Sequence, residues 1–339
     1  MLLGSGLEPD AQRTVQPEAK CVHRPPYPFL TTAETGRYVG RITSRPSGEA
    51  FRSGSHKEIQ GITNKPVRKI VNTHFHWDHW QGNQVYASAN PGLEIVASQR
   101  TRENLTRPDA GVGGIPFIEK QLTTLPKEID QLKDEITRAT SPEVKARLES
   151  NLHQAEAYLQ ELKGLKPALP TRTLTSTVTL HEQGREIQLH LLGRAHTDGD
   201  VFVYLPREKV VVTGDAVIDW MPFLNDGYPE DWVQTLTALE QLDFTRIIPG
   251  HGVVLPKSHL TFFRGYLSDL IAAVKKAAAD GASLDEMKKA VGDQLAPKYE
   301  RGMSKYPLGQ YRDPRRHERR DGLPEGGQEG VSMRRTSTP

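Results

Sequence analysis

The chain has 339 residues, of which 44 are basic and 42 acidic, so its formal net charge is +2. A chain of this length can hold one domain of ordinary size together with an insertion or a tail. Because the charge is nearly balanced, no global electrostatic field favours nucleic acid or an acidic membrane surface, and we expect neither as a partner. The single cysteine, Cys21, excludes a disulfide bond within the chain.

The N-terminal segment 1–64 is rich in Pro, Gly, Ser, Arg and Thr and shows little apolar periodicity, apart from a short predicted strand at 39–42. We interpret it as a poorly defined segment whose first strands are diverged, truncated or read out of frame. No secretory leader is visible, and no apolar run approaches the roughly 20 residues of a membrane span. A cytoplasmic location is the default expectation, although a lost leader would leave the same sequence.

A cluster of metal-capable side chains follows the first clear strand, which the β-branched residues at 67–71 predict. Three histidines and an aspartate lie within six residues: His74, His76, Asp78 and His79. Imidazole and carboxylate are preferred ligands of zinc, and burying so many of them without a partner would be costly. We expect them on a loop at a strand end, where a rigid sheet can orient ligands.

The apolar pattern changes to a helical period between residues 119 and 166. One stripe consists of Leu122, Leu125, Ile129, Leu132 and Ile136, and a second of Val144, Leu148, Leu152, Ala155, Leu159 and Leu162. Ser141 can cap the second helix, and Pro142 suits its first turn. The pattern predicts an inserted antiparallel helical hairpin. A lid, a homodimer contact and plain packing on the domain are three alternative roles for it.

Short strands are predicted after the hairpin at residues 173–180, 186–192, 201–205 and 209–213. Their tight connections indicate antiparallel pairing. Three further metal-capable side chains occur just past predicted strands: His196, Asp215 and His251. The repeated placement of such residues at strand ends indicates one common site that includes the histidine loop.

Aromatic residues beside these motifs are candidates for substrate contact: Trp77, Trp220, Phe223 and Tyr228. Trp220 and Phe223 follow the Asp215 strand and could form an apolar wall. Tyr228 could donate a hydrogen bond to a developing oxyanion. Buried packing is the competing interpretation for at least one of Trp77 and Trp80, which flank the ligands. For all of these candidates the alternative is a plain wall, because apolar residues beside a site are usually just its walls.

Two amphipathic helices and a tail complete the chain. Trp232 and Leu236 mark the first helix, and Leu267 and Leu270 mark the second. The spacing of Ser283 and Glu286 then predicts a capping box at the start of a small terminal helix. Residues 312–339 are charged and rich in Gly and Glu, bury almost nothing, and are predicted to be a disordered tail.

In combination and in this order, the motifs resemble those of the metallo-β-lactamase superfamily of metallo-hydrolases. The resemblance rests on the His-x-His-x-Asp-His loop, the Gly-x-x-His-Thr-x-Gly-Asp setting of His196, the Thr-Gly-Asp strand end and the Pro-Gly-His-Gly turn. It implies an α/β fold, an αββα sandwich of two mixed β-sheets flanked by helices, with the hairpin at 119–166 inserted. Residues 65–311 would form this metallo-hydrolase domain.

The resemblance also implies how the ligands divide between two zinc ions. The first ion would be held by three histidines, His74, His76 and His196. The second would be held by one carboxylate and two imidazoles, from Asp78, His79 and His251. Asp215 would bridge the two ions, as in the glyoxalase-II-like branch. Three neutral imidazoles leave a zinc ion with an open position, as catalysis needs. Iron and manganese are alternative metals for such ligands.

The function that this resemblance implies is a dinuclear zinc hydrolase, in which a metal-bridging hydroxide attacks the carbonyl of a small ester, thioester or lactone. Asp78 would be the catalytic side chain that orients the hydroxide and takes up a proton. Asp215 weighs against a dedicated β-lactamase, because those branches usually carry cysteine or serine there, but β-lactam or other amide hydrolysis is the alternative. The anomalous ends of the chain leave a third hypothesis, a non-catalytic or misfolded descendant.

Overall fold

The computed structural model describes residue 61 and residues 65–304, with the exception of residues 110–112 and 183. Apart from residue 61, the N-terminal segment 1–64 and its predicted strand at 39–42 lie outside the described residues. The predicted tail at 312–339 lies outside them as well. Among the helices of the described part, none combines the length and the apolar character needed to cross a membrane.

Two β-sheets form the centre of the domain. The smaller sheet pairs three strands in parallel, β1 (Lys69–Val71), β2 (Glu94–Ser98) and β3 (Arg172–Leu174). The larger sheet contains six strands in chain order: β4 (Val178–Glu182), β5 (Arg185–His190), β6 (Phe202–Leu205), β7 (Val210–Gly214), β8 (Arg246–Pro249) and β9 (Leu255–Pro256). Its neighbours pair antiparallel except for β7 and β8, which pair in parallel. Within the described residues, therefore, only the larger sheet is mixed.

An apolar core joins the two sheets. Val96 and Leu174 of the smaller sheet belong to one buried cluster with Leu189, Val203 and Val212 of the larger sheet. Such a shared cluster is what two sheets packed face to face produce. The predicted sandwich of the metallo-β-lactamase fold is thereby confirmed.

Seven α-helices lie around the sheets in the described part: α1 (Asn83–Ala89), α2 (Gln99–Thr106), α3 (Ile115–Arg138), α4 (Pro142–Lys163), α5 (Pro229–Glu240), α6 (Lys257–Ala279) and α7 (Leu284–Tyr299). Trp232 of α5 and Phe263 of α6 share a second buried cluster with Val211 and Ile247 of the larger sheet, so these helices cover its outer face. The capping box predicted at Ser283 is present at the start of α7.

The predicted helical hairpin is formed by α3 and α4. Ser141 accepts a hydrogen bond from the backbone N–H of Val144, and Pro142 is the first residue of α4, as its sequence indicates. Leu125 and Leu159 of the two apolar stripes are buried. Val144 departs from its predicted stripe and is 37% exposed, because it lies one turn from the connection at the free end of the hairpin.

One predicted strand is wrong in its extent. The sequence favours a continuous strand over residues 173–180, but the chain forms β3 and β4 there, and the two strands lie in different sheets. Residues 175–177, with the sequence Thr-Ser-Thr, separate them. At this polar interruption the chain passes from one layer of the sandwich to the other. The alternation of apolar and polar residues along a strand does not show where such a crossing occurs.

Candidate metal centre

The histidine loop begins directly after β1 and is held by hydrogen bonds at both ends. The Asn72 side chain donates to the carbonyl of His79 at 2.9 Å and to Oδ1 of Asn83 at 3.0 Å. Trp80 Nε1 donates to the Gly113 carbonyl at 2.7 Å. A Cβ on Gly113 would lie 2.5 Å from the Cα of His76, so this segment packs on the loop with backbone alone. The loop is thus fixed by buried contacts as well as by the strand before it.

The first predicted group of ligands comes together as the sequence implies. The side chains of His74, His76 and His196 are all buried, and one possible ligand atom from each lies within 4.8 Å of the others. His196 Nε2 is 2.9 Å from His76 Nδ1, although the two residues are 120 positions apart. The ring centroid of His74 lies 4.8 Å from each of the other two rings.

The second predicted group also converges. His251 Nε2 lies 3.1 Å from Asp78 Oδ2, and His79 Nε2 lies 3.3 Å from the same oxygen. Asp78 and His79 are consecutive residues of the 3₁₀ turn Trp77–His79. His251 lies in the turn that follows β8, and β8 is the parallel neighbour of β7 in the larger sheet.

Asp215 lies between the two groups. Its Oδ2 is 3.2 Å from His251 Nε2 and 3.7 Å from His196 Nε2, and its Oδ1 is 3.3 Å from His79 Nε2. The end of β7 holds it there, because Gly214 adopts a positive φ of 53° that re-aims the chain. Asp215 therefore contacts members of both groups, as a bridging ligand would. The rings of His74 and His79, whose centroids lie 4.1 Å apart, also bring the two groups into contact.

The donor set fits bound metal. His74 Nε2 is buried and has no hydrogen-bond partner in the described part, and the 3.3 Å contact between the buried His79 Nε2 and Asp215 Oδ1 does not have hydrogen-bond geometry. Such burial is costly unless a cation satisfies these atoms. Two ligand atoms on one tetrahedral zinc at about 2.0–2.1 Å stand roughly 3.3 Å apart. The six separations given above, which do not include His74, run from 2.9 to 3.7 Å and bracket that value.

The electrostatics divide the histidines into two kinds. Burial lowers the pKa of His74 well below its usual value and that of His196 to about 3, and neighbouring histidines add to the effect. Burial opposes protonation of His79 and His251 too, but Asp78 and Asp215 outweigh it and raise their pKa values to about 10 and about 9. In the absence of metal, protons on these two rings therefore balance the two carboxylates.

The carboxylates respond in the opposite sense. Burial alone would raise the pKa of Asp78 and of Asp215, but the adjacent His79 and His251 hold both pKa values far below the usual range. Both groups are therefore ionised at neutral pH. An anionic pair facing buried imidazoles is suited to a dication, which can replace the imidazole protons.

Two of the four candidate substrate residues line the cluster. The Phe223 ring lies 5.8 Å from that of His76 and 6.3 Å from that of His196, and the Trp220 ring lies 5.5 Å from that of His251. The other two make different contacts. Trp77 packs in the apolar cluster that includes the hairpin, and the Tyr228 ring lies 4.2 Å beneath the Arg194 guanidinium.

Sequence reasoning missed one residue of the site, Asp226. Its Oδ2 lies 3.0 Å from Nε2 of His76, 150 positions earlier in the chain. Asp226 occupies a loop between β7 and α5 and follows none of the strand-end patterns that identify the ligands. Nothing in local spacing distinguishes it from other surface aspartates.

Several solved structures are similar to this chain. A metallo-beta-lactamase from Pontibacter korlensis is 18% identical, with a TM-score of 0.43, covering 70% of this chain and 93% of its own. The metallo-beta-lactamase DIM-1, exposed to ceftazidime, is 15% identical, with a TM-score of 0.43 and coverages of 71% and 84%. The metallo-beta-lactamase IND-7 is 18% identical, with a TM-score of 0.43 and coverages of 72% and 96%.

A sequence model of the metallo-beta-lactamase superfamily matches residues 43–251. The match contains all the residues of both ligand groups and Asp215, and it ends at His251. It also begins within the segment that the sequence leaves poorly defined, so residues 43–64 are part of the family's pattern. The chain belongs to the metallo-beta-lactamase superfamily.

Proposed function

We propose that the protein is a dinuclear zinc hydrolase that cleaves a small ester, thioester or lactone. The observation that carries this proposal is the pair of ligand groups joined by Asp215, which lies 3.7 Å or less from nitrogen atoms of both. Three imidazoles would hold the first ion, and two imidazoles with the Asp78 carboxylate would hold the second. When bound, the two ions would supply an activated water as nucleophile and Lewis acidity for the carbonyl oxygen.

The chain's own side chains would orient and shield the reaction. Asp78 keeps one carboxylate oxygen within 3.3 Å of both His79 Nε2 and His251 Nε2, so the carboxylate cannot turn away from the cluster without losing both contacts. Its fixed negative charge is suited to orienting a water molecule. Transfer of a proton to Asp78 would require that His79 and His251 lose their protons first, because the two protonated rings hold its pKa low. Phe223 and Trp220 place aromatic walls beside both groups, and such walls exclude bulk water and favour an apolar acyl group.

The metal part of the proposal is tested by elemental analysis of the purified protein after dialysis with zinc. We expect two zinc ions per chain. His196→Ala should reduce zinc binding, whereas His153→Ala, on the exposed face of α4, should leave it unchanged. One tightly held ion with no second ion at excess zinc would contradict the dinuclear site. Occupancy by iron or manganese would support the proposed ligands but would show that zinc is the wrong metal.

The reaction is tested with a panel of thioesters, lactones, β-lactams and phosphodiesters. We expect hydrolysis of thioesters or lactones that depends on metal, is lost with Asp78→Asn and persists with His153→Ala. Preference for β-lactams would establish the amide alternative. Circular dichroism during a zinc titration tests the third hypothesis, because a misfolded descendant would stay unfolded at every zinc concentration. The monomer or homodimer state is measured on the same preparation by sedimentation.

A further inference from the structure

We infer that Asp226 is a positioning residue for the first metal group: it holds the His76 ring with Nδ1 free to bind metal. The inference rests on the proposed metal binding, but the contact itself is independent of any ion. Asp226 Oδ2 lies 3.0 Å from His76 Nε2, whereas His76 Nδ1 lies 2.9 Å from His196 Nε2. The two nitrogens of one ring thus face different partners, one a carboxylate and the other a fellow ligand.

The chemistry of the partner selects the tautomer. An ionised carboxylate only accepts hydrogen bonds, so the His76 nitrogen beside Asp226 must carry the proton and donate. The lone pair of a neutral imidazole is then left on Nδ1, the atom that points into the ligand cluster. A carboxylate in this position also fixes the ring orientation and makes the ligand nitrogen more basic, as partners of metal-bound histidines generally do.

The other two imidazoles of the first group lack such a partner. His74 Nδ1 lies 3.1 Å from the hydroxyl of Thr73. A hydrogen bond to a neutral hydroxyl is weaker than one to a charged carboxylate. His196 Nδ1 is buried and has no hydrogen-bond partner among the described residues. Within this part of the chain, Asp226 is therefore the carboxylate that supports the first group from outside the cluster.

The loop that carries Asp226 is itself attached to the site. Tyr228 donates its backbone N–H to the carbonyl of Ala195 at 2.9 Å, one residue before the ligand His196. Gly227 donates to the carbonyl of Leu224 at 3.1 Å and closes the turn around Asp226. The Asp226 side chain is only 19% exposed, so solvent screens its charge weakly. These contacts attach the backbone of the Asp226 loop beside His196.

The test compares Asp226→Ala and Asp226→Asn with a matched control, Asp231→Asn, whose carboxylate pairs with the exposed Arg194 in the same region. Zinc affinities are measured by competition with a chelator. We expect Asp226→Ala to weaken one ion about 10- to 100-fold and to leave the other within about threefold. Asp226→Asn should lose less, because its amide oxygen still accepts a hydrogen bond. The control should match the unmodified protein.

A second readout does not depend on metal. Long-range ¹⁵N–¹H spectra of the metal-free protein report the tautomer of each imidazole, and His76→Gln identifies the His76 signals. We expect the Nε2–H tautomer in the unmodified protein and a mixture of tautomers in Asp226→Ala. Unchanged tautomer and zinc affinity, or equal weakening of both ions together with a lower melting temperature, would overturn the inference. If the unmodified protein binds no zinc, the proposed function fails. The tautomer of His76 in the metal-free protein still shows whether Asp226 positions the ring.

Discussion

The indole ring of Trp77 lies 5.7 Å from the phenol ring of Tyr158, centroid to centroid, so the histidine loop packs directly on the second helix of the hairpin. Phe75 and Trp80 of the same loop share a buried cluster with Ile118 and Leu162 of the hairpin. A lid would contact the loop only when closed, and a dimer contact would present its apolar stripes outward. The packing favours a hairpin that packs on the domain over these two roles, and it places the hairpin directly against the histidine loop.

Trp77→Ala should therefore lower stability and metal affinity together. Removing most of a large, half-buried ring costs about 2–4 kcal/mol in unfolding free energy, somewhat less than for a fully buried one. Trp77→Phe should recover most of both quantities, since it keeps a ring against Tyr158. The measurements are urea unfolding of the metal-free protein and zinc competition. Unchanged metal affinity in Trp77→Ala would contradict a role of the hairpin in holding the loop, and would leave plain packing, a lid or a dimer contact.

Asp215→Ala should remove the second ion more readily than the first. The first group keeps its three imidazoles, whereas the second loses the carboxylate beside both His79 and His251. We expect one zinc ion per chain by elemental analysis, with the affinity of the remaining ion lowered less than about tenfold. Asp215→Asn serves as the shape-matched variant that separates loss of charge from loss of volume. Simultaneous loss of both ions would contradict the proposed division of ligands.

Gly250→Ala should disturb the metal centre although residue 250 is no ligand. A Cβ there would lie 1.8 Å from Asp215 Oδ1 and 2.5 Å from the carbonyl carbon of Gly214, so backbone must move. We expect a loss of about 1–3 kcal/mol in unfolding free energy, with weaker zinc binding. Gly292→Ala is the control: it meets nothing within 4 Å inside α7 and should stabilise the protein. Unaltered zinc binding in Gly250→Ala would show that the Asp215 position tolerates movement.

Zinc binding to the second group should release protons. The pKa values of His79 and His251 are raised to about 10 and about 9 in the metal-free protein, so pH 7 lies below both. Each ring therefore carries a proton that the ion must displace. We expect about two protons released per ion, and affinity that rises with pH between 6 and 8. His74 and His196 have lowered pKa values and are already neutral, so they add no release.

Calorimetry of zinc binding at pH 7, repeated in buffers with different ionisation enthalpies, measures the number of protons released. His251→Ala should reduce the release by about one proton, because one of the two raised pKa values disappears. Binding heats that do not depend on the buffer would contradict this protonation scheme. An affinity that falls as pH rises from 6 to 8 would contradict it as well.

Short-range patterns in the sequence were enough to predict the histidine loop and the helical hairpin. His74 to His79 follow a strand at fixed short spacing, and the stripes through Leu125 and Leu159 repeat with the helical period, so both signals lie within a few residues. The motif order then indicated the family, which the match over residues 43–251 confirms. These patterns can be read from the sequence because the helical period and the spacing after a strand depend only on neighbouring residues.

How these elements pack against one another could be seen only in the folded chain. Residues 173–180 divide between two sheets because the layers of the sandwich need a crossing there, and alternation along one strand cannot show where the chain changes layer. The contacts of His76 with Asp226 and of Trp77 with Tyr158 join residues 150 and 81 positions apart. Such pairs depend on the packing of whole elements against one another, which leaves no periodic trace in the sequence around either partner.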